Sequence, residues 1–89
     1  MPYINQDDRH SLDYSIEALG VRIATYEDYA GKLNYSVSKM INLILNERGL
    51  NYANINALIG ALECIKLELY RRVATPYEDA KIAENGDVY

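Results

Sequence analysis

A cluster of polar side chains near the end of the third predicted helix has the types and the spacing to bind an anion or a carboxylate. Lys66 follows Glu63 by three residues and precedes Tyr70 by four, so these side chains share one face of a helix. Arg71 and Arg72 come directly after, and a guanidinium group forms paired hydrogen bonds with phosphate or carboxylate. Together these residues are the candidate ligand-binding set.

Lys66 is unusual because it lies within the apolar stripe of that helix, close in angle to Leu62 and Leu69. The favoured interpretation is that the lysine stem packs on the apolar face while the ammonium group reaches water. The other interpretation is a buried cluster of Lys66, Glu63 and Tyr70, since buried lysines are rare unless they are paired. Such a cluster would be a ligand site, because perturbed ionisable groups concentrate at functional sites.

Arg71 and Arg72 also have a structural interpretation, which we favour over ligand binding. Cations near the C-terminal end of a helix offset the helix dipole. The acidic residues Glu78 and Asp79 follow closely in the sequence. We therefore expect ion pairs that clasp a short fourth helix onto the third.

Carboxylates that would hold a catalytic metal ion lack a recognisable arrangement. All-helical nucleotide pyrophosphatases hold magnesium with an ExxE motif on one helix and ExxD on the next, and this chain has no such pairing on consecutive helices. Glu63 and Glu68 lie about 140° apart around a helix, so they cannot chelate one ion together. A site built across helices from Glu47, Glu63 and Asp79 is the remaining alternative. We predict no metal ligands and no cofactor.

Nucleophilic catalysis has little support in the sequence. Cys64 is the only cysteine, His10 is the only histidine, and the two are far apart along the chain. Cys64 lies among small residues, so we expect a buried and unreactive thiol. No glycine-rich loop follows a predicted strand, so the phosphate-binding P-loop motif is absent. No catalytic residue is predicted, and the balance is against an enzyme.

The elements that would position these side chains are helices, because glycine and proline divide the chain without any sustained β-type alternation. The predicted helices cover residues 8–24, 25–48, 52–73 and 75–84. The first two carry apolar faces at helical spacing, formed by Leu12, Ile16, Leu19 and Ile23 and by Leu33, Val37, Met40, Ile41 and Ile44.

Capping residues mark the expected starts of the first two helices. Asn5 or Asp7 can cap the first helix. Thr25 and Asp28 resemble a capping box for the second, although Gly31 could delay its start.

The remaining boundaries rest on glycine and proline. Gly49 is expected just past the second helix. Thr75 as N-cap, Pro76 as first helical residue and Glu78 as capping-box partner give the clearest start signal in the chain. Asn85 and Gly86 form the expected stop.

The third helix is apolar on more than one side. Its main stripe contains Ile55, Leu58, Ile59, Leu62, Ile65, Leu69 and Val73, and the opposite side collects Ala57, Gly60, Ala61 and Cys64. A helix of this kind is central in a bundle or is covered by a second subunit. We therefore predict an all-α bundle of three long helices and a short C-terminal helix, one domain over residues 1–89 with extended tails at 1–7 and 86–89, which forms a homodimer or a higher oligomer.

The composition and charge of the chain disfavour some classes of binding partner. The net charge of −4 disfavours general nucleic-acid binding, which needs a basic face, and it disfavours docking on anionic lipid. The first eight residues have neither the basic nor the apolar segment of a signal peptide, and the lone cysteine suits a reducing compartment. These features predict a cytoplasmic protein without a membrane span.

Several strings along the chain are similar to a known family. They are MPYI at residues 1–4, GKLNY at 31–35, ECIKLELYRR at 63–72, PYED at 76–79 and NGDVY at 85–89. In these strings the chain resembles small uncharacterised proteins of bacteriophages and marine viral metagenomes. The resemblance implies a viral origin and, for a phage, the cytoplasm of the host cell; it supplies no mechanism and no site residues.

Two functional hypotheses follow. The favoured one is a non-enzymatic, self-associating interaction module whose partner is another copy of itself, with a phage or host protein as a further partner. The alternative is a small helical nucleotide-binding protein or metal-dependent nucleotide hydrolase that uses carboxylates together with Arg71 and Arg72.

Overall fold

The computed structural model describes residues 2–89, and every regular element within them is helical. Helix α1 runs over Gln6–Ala24 and helix α2 over Tyr29–Arg48. Helix α3 is long and continuous over residues 52–85. The all-α prediction is confirmed, with three helices in the described part of the chain rather than four.

Helix α3 changes its hydrogen-bonding pattern without a break. It is α-helical over Tyr52–Leu69, π-helical over Tyr70–Ala74 and α-helical again over Thr75–Asn85. The Thr75 backbone N–H donates to the Tyr70 carbonyl five residues earlier, which is the π-helical pattern. Thr75 has helical torsions of φ −60° and ψ −52°. The predicted N-cap at Thr75 and the separate fourth helix are therefore wrong.

Pro76 gives a physical reason for the π-helical segment. Proline has no backbone N–H, and inside a helix its ring crowds the carbonyl four residues earlier, here that of Arg72. The widened turn lies directly before Pro76. We attribute the widening to the proline, because a helix that continues through proline must rearrange the hydrogen bonds of the preceding turn. A Thr-Pro sequence that is typical of a helix start therefore lies here inside a continuous helix.

Asn5 caps helix α1 as predicted. Its side-chain oxygen accepts from the Asp8 backbone N–H at 2.9 Å, and its amide nitrogen donates to the Asp8 carboxylate at 2.8 Å. Asp7 and Asp8 also place negative charge in the first turn, where the helix dipole favours it.

The turn between α1 and α2 departs from the predicted capping box. Thr25 is the C-cap of α1, and its hydroxyl donates to the Arg22 carbonyl at 2.7 Å. Asp28 is the N-cap of α2 and accepts from the Gly31 N–H at 3.1 Å. A Cβ at Gly31 would collide with the Asp28 carboxylate. Gly31 therefore makes room for the cap instead of delaying the helix to Lys32.

Glycines end both of the following helices, as predicted. Gly49 has φ +110° and its N–H donates to the Leu45 carbonyl at 2.8 Å. Gly86 has φ +96° and donates to the Ile82 carbonyl at the same distance of 2.8 Å. Glycine is favoured at both positions because residues with a Cβ rarely adopt positive φ.

Asn54 holds the corner between α2 and the start of α3. Its amide nitrogen donates to the Gly49 carbonyl at 2.8 Å and to the Arg48 carbonyl at 3.2 Å. The Asn51 side chain accepts from the Asn54 backbone N–H at 2.9 Å. The carbonyl groups at the end of α2 thus find donors within the corner itself.

The chain divides into two compact units, residues 2–55 and 56–89. In the first unit α1 and α2 contact one another and form a helical hairpin. The most covered apolar side chains of α2 are those of Val37, Ile41 and Leu45, and even these are only half-buried. No residue within 2–89 is fully buried.

Loss of the Asp28 cap should weaken the hairpin. We expect Asp28→Ala to lower the free energy of unfolding by about 1 kcal/mol, because the Gly31 N–H loses its acceptor. Asp28→Asn is the matched control: it keeps the acceptor and removes only the 4.0 Å ion pair with Lys32, so its stability should stay near wild type. Urea denaturation measures both, and equal loss in the two variants would contradict the cap.

Replacing the proline should remove the π-helical segment. We expect Pro76→Ala to raise the free energy of unfolding by about 1–3 kcal/mol, because the substitution restores a donor and relieves the crowding at Arg72. Backbone chemical shifts of residues 70–74 should move to α-helical values. Lower stability in this variant would show that Pro76 begins a separate helix.

Thr75→Ala tests the same continuity from the other side. Because Thr75 lies inside the helix and makes no capping hydrogen bond, alanine should leave stability unchanged or raise it by up to ~0.7 kcal/mol. An N-cap threonine would instead cost about 1 kcal/mol on replacement.

Candidate functional site

An open apolar groove runs along the α1–α2 hairpin within residues 2–55. Its volume is about 330 Å³. The lining residues are Leu12, Ser15, Ile16, Leu19, Gly20, Ile23, Leu33, Ser36, Val37 and Met40. Each of them is apolar, a serine or a glycine, so no ionisable side chain lines the groove.

The sequence builds the groove through the same spacing on both helices. Leu12, Ile16, Leu19 and Ile23 follow one another at intervals of four, three and four residues; Leu33, Val37, Met40 and Ile44 repeat those intervals. This spacing keeps the side chains on one face of an α-helix. We call these eight positions the seam; all of them except Ile44 line the groove.

Small residues widen the groove beside the seam. Ser15, Gly20 and Ser36 lie among its lining residues, and no atom lies within 4 Å of the place where a Gly20 Cβ would stand. The seam side chains themselves stay accessible, with Ile16 60% and Leu33 53% exposed. The hairpin therefore presents an apolar face that its own two helices do not cover.

The predicted polar cluster lies in the second unit, on helix α3. Lys66 and Glu63 form an ion pair with 2.9 Å between Nζ and Oε1, and their side chains are 69% and 56% exposed. Tyr70 is also exposed, and no hydrogen bond joins its hydroxyl to either partner. The Lys66 ammonium group is therefore both exposed to water and paired with Glu63. An ion pair this exposed contributes at most about 1 kcal/mol.

Arg71 pairs backward along its own helix rather than forward. Its guanidinium lies 3.2 Å from the Glu68 carboxylate and bonds both carboxylate oxygens. The expected clasp with Glu78 and Asp79 is wrong, because α3 continues through these residues instead of folding back. Arg72 makes no ion pair with any residue within 2–89.

A second, more polar groove lies at the end of α3 in residues 56–89. Its volume is about 490 Å³, and Tyr70, Glu78, Lys81 and Ile82 line it together with the tail at residues 86–89. Lys81 is paired with Glu84 at 3.4 Å and lies 5.6 Å from the centre of the Tyr77 ring. Of the candidate ligand-binding residues, only Tyr70 reaches this groove.

Cys64 is exposed, so the expected buried thiol is wrong. It lies on the small-residue side of α3 with Gly60, where the described structure leaves open space around the glycine. Within residues 2–89 no group of three or more His, Cys, Asp and Glu side chains is placed to hold a metal ion. No helix of that part of the chain has both the length and the hydropathy to cross a membrane.

Sequence reasoning assigned the seam residues to helix faces but did not identify them as a functional surface. The signal that was available is the repeat of the same four-three-four spacing on two consecutive helices. Ser15, Gly20 and Ser36 were missed altogether, because small residues acquire a role only once the neighbouring helix is known.

Comparison with known proteins identifies a family but not an activity. No curated protein and no solved structure matches the chain. A family described as Domain of unknown function (DUF6899) matches residues 1–88. Since the match covers nearly the whole length, the chain belongs to this DUF6899 family.

Proposed function

We propose that this protein is a non-enzymatic interaction module that works by self-association, and that residues 1–89 form one domain completed by a second copy. The observation that carries the proposal is that no residue within 2–89 is buried, although apolar residues make up 49% of the chain. The groove of the hairpin is a continuous part of this uncovered apolar surface that lies within one unit.

The balance between apolar burial and backbone entropy supports the need for a binding partner. Full burial of a Leu or Ile side chain contributes roughly 1.5–3 kcal/mol, and fixing one residue of backbone costs roughly 1–2 kcal/mol. Helices held only by their own hydrogen bonds are marginal in water, even near the length of α1 and α2. A stable fold therefore needs the seam side chains to be covered, and covering them is a binding event.

Self-association accounts for this better than a small ligand. The open groove offers only the hydroxyl groups of Ser15 and Ser36 to orient a ligand and has no charged side chain, whereas ligand pockets usually place several polar groups among apolar ones. Another helical surface needs only complementary apolar side chains. Exposed apolar patches of this kind mark interfaces between proteins.

The likeness to bacteriophage proteins supports a viral origin, and with it the host cytoplasm as the place of action. A phage or host protein is then a further partner that the assembled copies would bind. The absence of an excess of basic residues, with a net charge of −4, makes nucleic acid a poor partner.

One observation favours the alternative of a nucleotide-binding protein or hydrolase. Arg72 makes no ion pair within residues 2–89, and the exposed pair of Lys66 and Glu63 lies on the same helix. A thermal-shift titration with ATP and magnesium addresses it directly. Stabilisation by the nucleotide that disappears in Arg72→Gln would favour this alternative over the proposal.

The mass in solution tests self-association. We expect light scattering at ~50 μM, well above a micromolar dissociation constant, to give at least twice the chain mass of 10.1 kDa. Dilution should reduce both the mass and the melting temperature, because assembly and folding are coupled. A mass of one chain at this concentration, with a melting temperature independent of concentration, would refute the proposal.

A further inference from the structure

We infer that the α1–α2 groove is the self-association surface, and that it packs against the same groove of a second copy. The inference rests on the proposed self-association and specifies its geometry: two hairpins meet seam to seam and form a four-helix core. All the residues that line this groove belong to α1 and α2.

Spacing is the first argument. The seam has the four-three-four intervals that let side chains of one helix fit between those of another. The pattern has the same length on α1 and on α2, so two copies related by a two-fold axis present matched layers. Four-helix bundles of two hairpins use this packing with short connections, and the turn here spans only residues 25–28.

Charge is the second argument. The chain carries a net charge of −4, so two copies repel one another over most orientations. The groove is lined without a single ionisable residue. Two copies that meet on this face therefore remove no charged group from water and bring no like charges together. Helix α3 lacks this advantage, because the ion pair of Lys66 and Glu63 interrupts its stripe.

Area is the third argument. Six of the eight seam side chains are 40–60% exposed, which leaves on the order of several hundred Å² per copy to bury, against the roughly 600 Å² per partner at the lower end of stable interfaces. Gly20, Ser15 and Ser36 would let the two hairpins approach closely. The face is thus large enough for contact with a second copy.

Opposite charges placed at Ile16 test the contact. Ile16 lies in the middle of the α1 seam and is 60% exposed, so a charge there is tolerated in the single chain. We expect Ile16→Glu and Ile16→Lys each to raise the dissociation constant at least tenfold in sedimentation experiments. A 1:1 mixture of the two variants should recover the wild-type mass, with a heterodimer in native mass spectrometry, because seam meets seam.

Val21→Glu is the matched control. Val21 is 70% exposed on the same helix but does not line the groove, so its dissociation constant should stay within about threefold of wild type. If Val21→Glu weakens assembly and Ile16→Glu does not, the groove is not the interface. The same conclusion follows if the mixture fails to recover while the variants keep their helical circular dichroism, which would place a different surface or another protein opposite the groove.

A dilution series on the unmodified chain gives a measurement that no substitution can disturb. Amide chemical shifts should change with concentration within residues 12–23 and 33–44 and stay constant within 56–69. Concentration-dependent shifts confined to 56–69 would overturn the groove and leave self-association intact. A monomer with constant shifts throughout would instead refute the self-association on which the inference rests.

Discussion

Apolar side chains on amphipathic helices have to be covered by something, and in this chain two helices of a hairpin cover each other only partly. A pair of helices shares one line of contact, so half of each apolar face stays open. The best-covered side chains of α2, Val37, Ile41 and Leu45, remain only half-buried. Caps and ion pairs position the helices but supply little of the stabilisation that burial would.

The polar interactions show why they cannot compensate. The ion pairs Glu63–Lys66, Glu68–Arg71 and Lys81–Glu84 all connect residues three apart on one helix. Such pairs stabilise a helix by a few tenths of a kcal/mol and say nothing about which helix packs on which. They also satisfy most of the charges that had suggested a ligand site. The polar end of α3 is thus well explained as a solvated helix surface, on which Arg72 makes no ion pair with any residue within 2–89.

Features that depend on neighbours in sequence could be predicted, and features that depend on neighbours in space could not. Asn5, Gly49 and Gly86 end or start helices through bonds within one turn, so their residue types were sufficient. The prediction for Thr25 was wrong because a threonine hydroxyl can cap the end of the preceding helix as well as the start of the following one. The predicted helix start at Thr75 and Pro76 was wrong for a similar reason. Residues that favour a helix start do not show whether the preceding helix has ended.

The same distinction between sequence neighbours and spatial neighbours applies to the candidate site. The seam residues were recognised as helix faces from their spacing alone, but the groove depends on which faces the turn at residues 25–28 brings together. Cys64 was expected to be buried because its neighbours are small, yet small residues show only that close approach is allowed. Whether such a residue is buried depends on the helix or subunit that packs against it, and the sequence of one helix does not identify that partner.

The π-helical turn at Tyr70–Ala74 has a consequence for the phase of helix α3. An α-helix advances about 100° per residue, and a π-helical turn holds roughly one residue more, so everything after it lags by about that angle. Without the turn, Ile82 would point away from the stripe that runs from Ile55 to Val73. The lag brings Ile82 to within about 40° of Ile59, at one edge of that stripe, so the helix after the turn carries Ile82 beside its apolar side instead of opposite it.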